Sequence, residues 1–234
     1  MIAVIENKYN KSLYVDVSTF DNLTEKGTVL IALLSDILSA FVIPFNRSLI
    51  IHIEKINGRD ALFRFNSETW EKAYKLLIEG EVQFLLITDD EERVLYDPDI
   101  AISMTCNHKE KYQGWPIPAI ANNIAFSLSE RLYNGIIPSD VQDKAVNMLK
   151  RMFIELNGVY GYITYEGRYA HFSPCMSSIE RLLEMDYVLN SHNFIKMARG
   201  YHWVNILSEG HIEQLGGIDT VISSSPCNKV EKLE

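Results

Sequence analysis

Cysteine is scarce in this sequence: Cys106, Cys175 and Cys227 are the whole complement, an odd number at wide spacing. Neither a disulfide framework nor a paired-cysteine zinc site fits that pattern, and a reducing compartment, the cytoplasm, is the expectation. Long apolar runs are missing too. The most apolar stretch, Val29 to Phe45, is interrupted by Ser35, Asp36 and Ser39 and closed by Pro44. It falls short of the roughly 20 apolar residues of a membrane span, so we read it as a core helix. The start, Met1 to Lys8, lacks the charged beginning and long apolar stretch of a signal peptide. Neither export nor membrane association is expected.

Positive charge is the next deficit. Lys and Arg number 22 against 31 Asp and Glu, a net charge of −9, which repels phosphate backbones and argues against direct nucleic-acid binding. Such a surface serves solubility or attracts a basic partner. Motifs that carry chemistry are missing as well: G-x-S-x-G, the Walker A loop, G-x-G-x-x-G, H-E-x-x-H and C-x-x-C do not occur. The expectation is therefore a binding protein, not an enzyme, with no cofactor.

Three dispersed constellations remain. His192, His202 and His211 lack zinc-site spacing, and His202 beside Trp203 in an expected strand reads as packing. Cys106 and His108 are two ligands without a second pair. No metal site is expected. Cys175 and His171, with Glu166 nearby, form the alternative: a small-molecule enzyme whose site is built from scattered residues.

At 234 residues the chain is long enough to bury a self-sufficient core, and we read it as one domain with a seam at 107–118, where charge, Gly and Pro mix. Leu13, Val15 and Val17 alternate as a strand does. Leu30, Leu33, Leu34, Ile37, Leu38 and Phe41 follow helical spacing, with Thr24 as cap and Pro44 as stop. Apolar runs at 49–56 and 61–65 flank Asn57-Gly58, a two-residue hairpin signal that needs φ > 0 at both positions. Ser67 is placed to cap a helix presenting Trp70, Ala73, Tyr74 and Leu77 inward, with Gly80 just past its end.

Strands are expected at 82–88, 93–96, 100–105 and 124–132. Ser139 and Gln142 match a capping box before a helix with Val141, Ala145, Met148, Leu149, Met152, Phe153 and Leu156 on its apolar face. A strand at 159–166, helices at 177–183 and 194–198, a strand at 201–207 with Trp203 buried, a short helix after Ser208 and a strand at 218–222 complete the pattern. Hairpins mixed with helices predict an α+β fold, a mainly antiparallel sheet packed against amphipathic helices. The helix-then-strand succession at 67–88 and again at 139–166 is compatible with two similar halves.

Asp89, Asp90, Glu91 and Glu92, with Asp97 and Asp99 close by, form the densest cluster of one sign. They are expected at a solvated hairpin tip, where an anionic surface would meet lysines and arginines of a basic partner and speed association. Tyr160, Tyr162, Tyr165 and Tyr169 gather around one strand, suited either to packing under helices or to contact with another protein.

The run from Gly200 through Tyr201, His202, Trp203 and Val204 to Leu215, Gly216 and Gly217 is an aromatic strand, a short turn into a helix, then Leu-Gly-Gly. It resembles the C-terminal signature of bacterial immunity proteins encoded beside secreted toxins, the immunity protein 52 family and a related type VI immunity family. The segment Leu156 to Ile163, reading LNGVYGYI, is similar to the Gly-Tyr strand that such proteins carry upstream. Together these cover about 139–217. The resemblance implies a cytoplasmic protein that binds a cognate toxin, nucleases among them, and blocks it without turning over a substrate.

Overall fold

The computed structural model describes residues 12–19, 21–45, 47–58, 60–89, 98–106, 122–158, 160–164 and 204–214. The expected seam at 107–118, the segments at 93–96, 177–183, 194–198 and 218–222, and Trp203 lie outside them. In chain order the strands are β1 (Ser12–Thr19), β2 (Leu49–Lys55), β3 (Asp60–Arg64), β4 (Val82–Asp89), β5 (Ile100–Thr105), β6 (Asn122–Ser129), β7 (Tyr160–Thr164) and β8 (Val204–Leu207). They form one sheet in the order β3-β2-β4-β5-β6-β1-β7-β8, and every described pairing is antiparallel. The described α-helices are α1 (Gly27–Ile37), α2 (Ser67–Ile78), α3 (Ser139–Glu155) and the short α4 (Glu209–Gln214). The expected α+β class with a mainly antiparallel sheet is the observed one.

One row of side chains explains why the layers hold together. Val15, Phe126, Ile102, Ile87 and Ile51 are successive cross-strand partners, and all five are buried. Leu30, Leu33, Leu34 and Ile37 of α1 are buried in the same core. Past Ile37 the helix widens into a π turn at Leu38–Val42, and there Phe41 stacks on Phe126 with ring centroids 4.9 Å apart. Each such side chain contributes about 1.5–3 kcal/mol by leaving water.

The helix ends are where expectation and structure part. Thr24 does not cap α1: the Asn22 side chain accepts from the Thr24 amide, opening a 3-10 turn at Leu23–Glu25, and α1 starts after Lys26 without a side-chain cap. Gly27 instead lets α1 approach α2, since a Cβ there would lie 2.3 Å from the Leu77 carbonyl oxygen. Pro44 closes the run as expected, one residue before its end, inside a 3-10 turn at Ile43–Phe45, since a proline cannot continue the helical hydrogen bonding.

Asn66, not Ser67, caps α2, because its extended backbone lets it exchange hydrogen bonds with Thr69 in both directions. Ser139 and Gln142 form no capping box. Pro138 occupies the cap of α3, and Gln142 Nε2 donates to the Ile137 carbonyl at 2.9 Å. Tyr74, expected inward, is exposed, whereas Ala73 and Leu77 are buried as their spacing predicts. The β2–β3 hairpin is present, but only Gly58 has positive φ (75°); Asn57 does not. The connection is longer than a two-residue turn, and Asn57 therefore escapes the left-handed requirement. Gly80 does take its expected left-handed conformation, φ 67°.

Antiparallel pairing gives the sheet two distinct ends. Leu49 lies opposite Asp89, Thr88 opposite Ala101, and Ser12 opposite Ser129. The connections α1–β2, β4–β5 and β6–α3 therefore share one end.

Candidate functional site

At that end Asp89 closes β4 and Asp99 stands just before β5, and each is only 4% exposed. Asp89 Oδ1 accepts from the Ile100 amide at 3.0 Å. Its Oδ2 lies 3.2 Å from Arg47 Nη1, which also sits 2.9 Å from Asp99 Oδ2. Arg131 Nε donates to Asp99 Oδ1 at 2.6 Å, and the Asp99 carbonyl accepts from the Ser129 amide at 2.7 Å. Two arginines from two other connections thus compensate both carboxylates, which a buried charge requires.

Asp89 and Asp99, expected as solvated charges facing a partner, are instead internal ties holding three connections together. Asp90, Glu91, Glu92 and Asp97 lie outside the described residues.

Sequence patterning does not single out a further buried carboxyl, Asp16. It lies in mid-β1 between Val15 and Val17, on the sheet face opposite the helices, and is 4% exposed. Tyr14 Oη and Asn123 Nδ2 each donate to its Oδ2 at 3.1 Å, and Ser18 Oγ donates to Oδ1 at 3.3 Å. Among the described residues no Lys, Arg or His pairs with it. Burial raises its pKa from 3.8 to about 6, against the lowering by its three donors. The Tyr14 hydroxyl is held well above its ordinary range, first by burial and then by Asp16 and Tyr162; the two tyrosine rings are 5.9 Å apart. A buried carboxyl against a tyrosine is an arrangement that functional sites share. One signal could have found it: Asp is depleted in strands, and Asp16 stands in the middle of one.

The remaining sequence candidates contribute less. Cys106 is buried and its thiol is pushed up to about 12 by that burial, which makes it a poor nucleophile. Glu166, His171, Cys175, His108, His192 and His202 lie outside the described residues. Among the described residues no three His, Cys, Asp or Glu side chains gather as a metal site would need. Gly27–Phe45 is apolar and long enough to cross a membrane by composition, but Leu30, Leu33, Leu34, Ile37 and Phe41 within it face the sheet core.

No family model, curated protein or solved structure matches the chain.

Proposed function

We propose that the chain is a non-enzymatic immunity protein that binds and neutralises a basic secreted toxin. What supports this reading most is the neighbourhood of the two segments that carry the resemblance. The Gly-Tyr segment supplies β7 and the end of the aromatic segment, Val204–Leu207, supplies β8; the two pair antiparallel with Tyr160 opposite Leu207, and β8 leads through Ser208 into α4, an arrangement compatible with the resemblance. A net charge of −9 suits a cationic partner. The direct test is co-expression with each toxin encoded beside the gene: cells carrying the chain should survive one of them, and protection from none would overturn the proposal.

Acidic residues in this reading act on encounter. Because Asp89 is internal, the steering set is Asp90, Glu91 and Glu92. Replacing these three with Asn or Gln should lower the association rate roughly 3- to 10-fold at low salt and flatten its salt dependence, leaving dissociation little changed.

Asp16 and Tyr14 favour a second reading, the enzyme with a dispersed site. An enzyme would lose its activity in an Asp16→Asn variant that stays folded, whereas an inhibitor acting through another face would still protect.

A further inference from the structure

We propose that β3 pairs antiparallel with β3 of a second copy of this chain, about a twofold axis at Leu62, joining two sheets into one. The pairing is independent of the proposed immunity function. β3 (Asp60–Arg64) stands at one edge of the described strand order, with β2 on its inner side. Its bonds to β2 fix which backbone groups face outward. The Phe65 amide donates to the Leu49 carbonyl at 2.8 Å, and the register continues through Phe63 opposite Ile51 and Ala61 opposite Ile53. Hydrogen-bonded pairs recur at every second residue of an antiparallel ladder, so Phe63 and Ala61 turn their backbone groups toward β2. Asp60, Leu62 and Arg64 direct theirs away from it.

Side chains at the same three positions are exposed, Leu62 by 62%. A lone exposed leucine needs no explanation, but Leu62 ends a row that crosses the sheet: it lies opposite half-buried His52, which in turn lies opposite half-buried Leu86. His52 also meets Phe84 edge to face, with ring centroids 6.0 Å apart. About a twofold axis the rows of two copies join end to end, and each Leu62 packs on the other. Edge strands are commonly blunted by a proline, a bulge or a run of charge. β3 contains no proline and no bulge against β2, and its two charges are of opposite sign.

Charge and register select the occupant. Asp60 and Arg64 flank Leu62 symmetrically, so antiparallel pairing centred there sets each Asp60 opposite the Arg64 of the other copy, as a self-complementary twofold interface requires. Parallel pairing in register would instead set like charges together, and an antiparallel slip of two residues would set a charge opposite Leu62. Within one copy Asp60 lies directly opposite Glu54, a like-charge pair that costs stability. Among the described residues no Lys, Arg or His pairs with either. The Arg64 of a second copy supplies the missing cation. Five paired residues a side are fewer than the roughly 20–30 of a standard interface, and the net charge of −9 repels a like copy, so the dimer is weak, with Kd about 10–100 μM.

Sedimentation equilibrium of the full chain at about 0.15 M salt, where the net charge is screened beyond roughly 8 Å, reads the association. Wild type should pass from monomer to dimer between about 5 and 500 μM; a monomer throughout would overturn the proposal. Asp60→Arg and Arg64→Asp each set like charges face to face and should weaken the dimer at least about tenfold, whereas an equimolar mixture of the two variants restores opposite charge at both ends and should associate within about threefold of wild type. Single variants that dimerise as wild type does, or a mixture that stays monomeric, would overturn the register and with it the pairing. All three positions are exposed, so the variants should keep the urea unfolding midpoint. Leu62→Lys, which sets two ammonium groups across the axis, decides independently of the charge variants: it should be monomeric throughout, and a dimer that persists in it would place the contact elsewhere and overturn the proposal.

Discussion

Replacing Asp16 with Asn should stabilise the protein at neutral pH. The carboxyl is 4% exposed and its pKa is raised from 3.8 to about 6, so folding favours the protonated form. The sign follows from linkage: stability contributed by protonated Asp16 is fully present below pH 3.8 and is lost as pH rises through about 6. The gap between the two values corresponds to roughly 3 kcal/mol, a large part of the 5–15 kcal/mol that a domain of this kind has in total.

An amide occupies the same volume and never ionises. Its oxygen can accept from Tyr14 and Asn123, where Asp16 Oδ2 now does, and its NH2 can donate to the Ser18 hydroxyl, whose Oγ now donates to Oδ1. Allowing for the stronger bonds a carboxylate makes, the expected gain above pH 7 is about 1–3 kcal/mol. Urea unfolding followed by tryptophan fluorescence at intervals from pH 4 to pH 8 measures it. The difference between variant and wild type should open between pH 4 and 6.5 and then stay flat. A variant less stable than wild type at pH 7.5 by more than about 1 kcal/mol, or a difference independent of pH, would refute the account.

Two further variants probe the core. Gln83 is buried, and neither its amide oxygen nor its nitrogen has a hydrogen-bond partner among the described residues; since each orphaned group costs about 1–3 kcal/mol, Gln83→Leu should raise the urea midpoint, and a clear fall would show that the amide is held by another group. Gly27→Ala should cost about 2–4 kcal/mol in spite of the better helix propensity of alanine, because its Cβ would meet the Leu77 carbonyl oxygen at 2.3 Å and force α1 from α2; near-wild-type unfolding would mean that the two helices separate freely.

The apolar layer was legible because periodicity reports it directly. Leu30, Leu33, Leu34 and Ile37 in α1, Val141, Ala145, Leu149 and Met152 in α3, and Leu13, Val15 and Val17 in β1 are buried as their spacing implies. Caps were less legible, since Asn66 and Ser67 are both competent acceptors and sequence does not reveal which one has extended backbone; the structure gives it to Asn66, at φ −153° and ψ 177°. Hairpin chemistry misled for a related reason: Asn57-Gly58 marks a reversal without fixing its length.

The acidic residues were the hardest to sort, because local sequence does not distinguish an Asp at a solvated tip from one whose countercharge comes from afar. Asp89 meets Arg47 across 42 positions, and Asp99 meets Arg131 across 32. Both pairings are set by strand order, which periodicity does not encode.

That sorting bears on how the charge works. Arg47 and Arg131 compensate Asp89 and Asp99 inside the protein, and subtracting two acids with two bases leaves the net charge of −9 unchanged. On the proposed function, the field that would draw a cationic partner therefore survives the loss of those two carboxylates from the exposed set. At physiological salt this field fades over about 8 Å, so it governs approach and orientation, while residence depends on what is buried once contact is made. On the proposed immunity reading the acidic residues 90–92 therefore act on approach and not on residence. Charge variants should move the association rate and its salt dependence and leave dissociation little changed. If they changed dissociation as much as association, steering would be the wrong role for these residues.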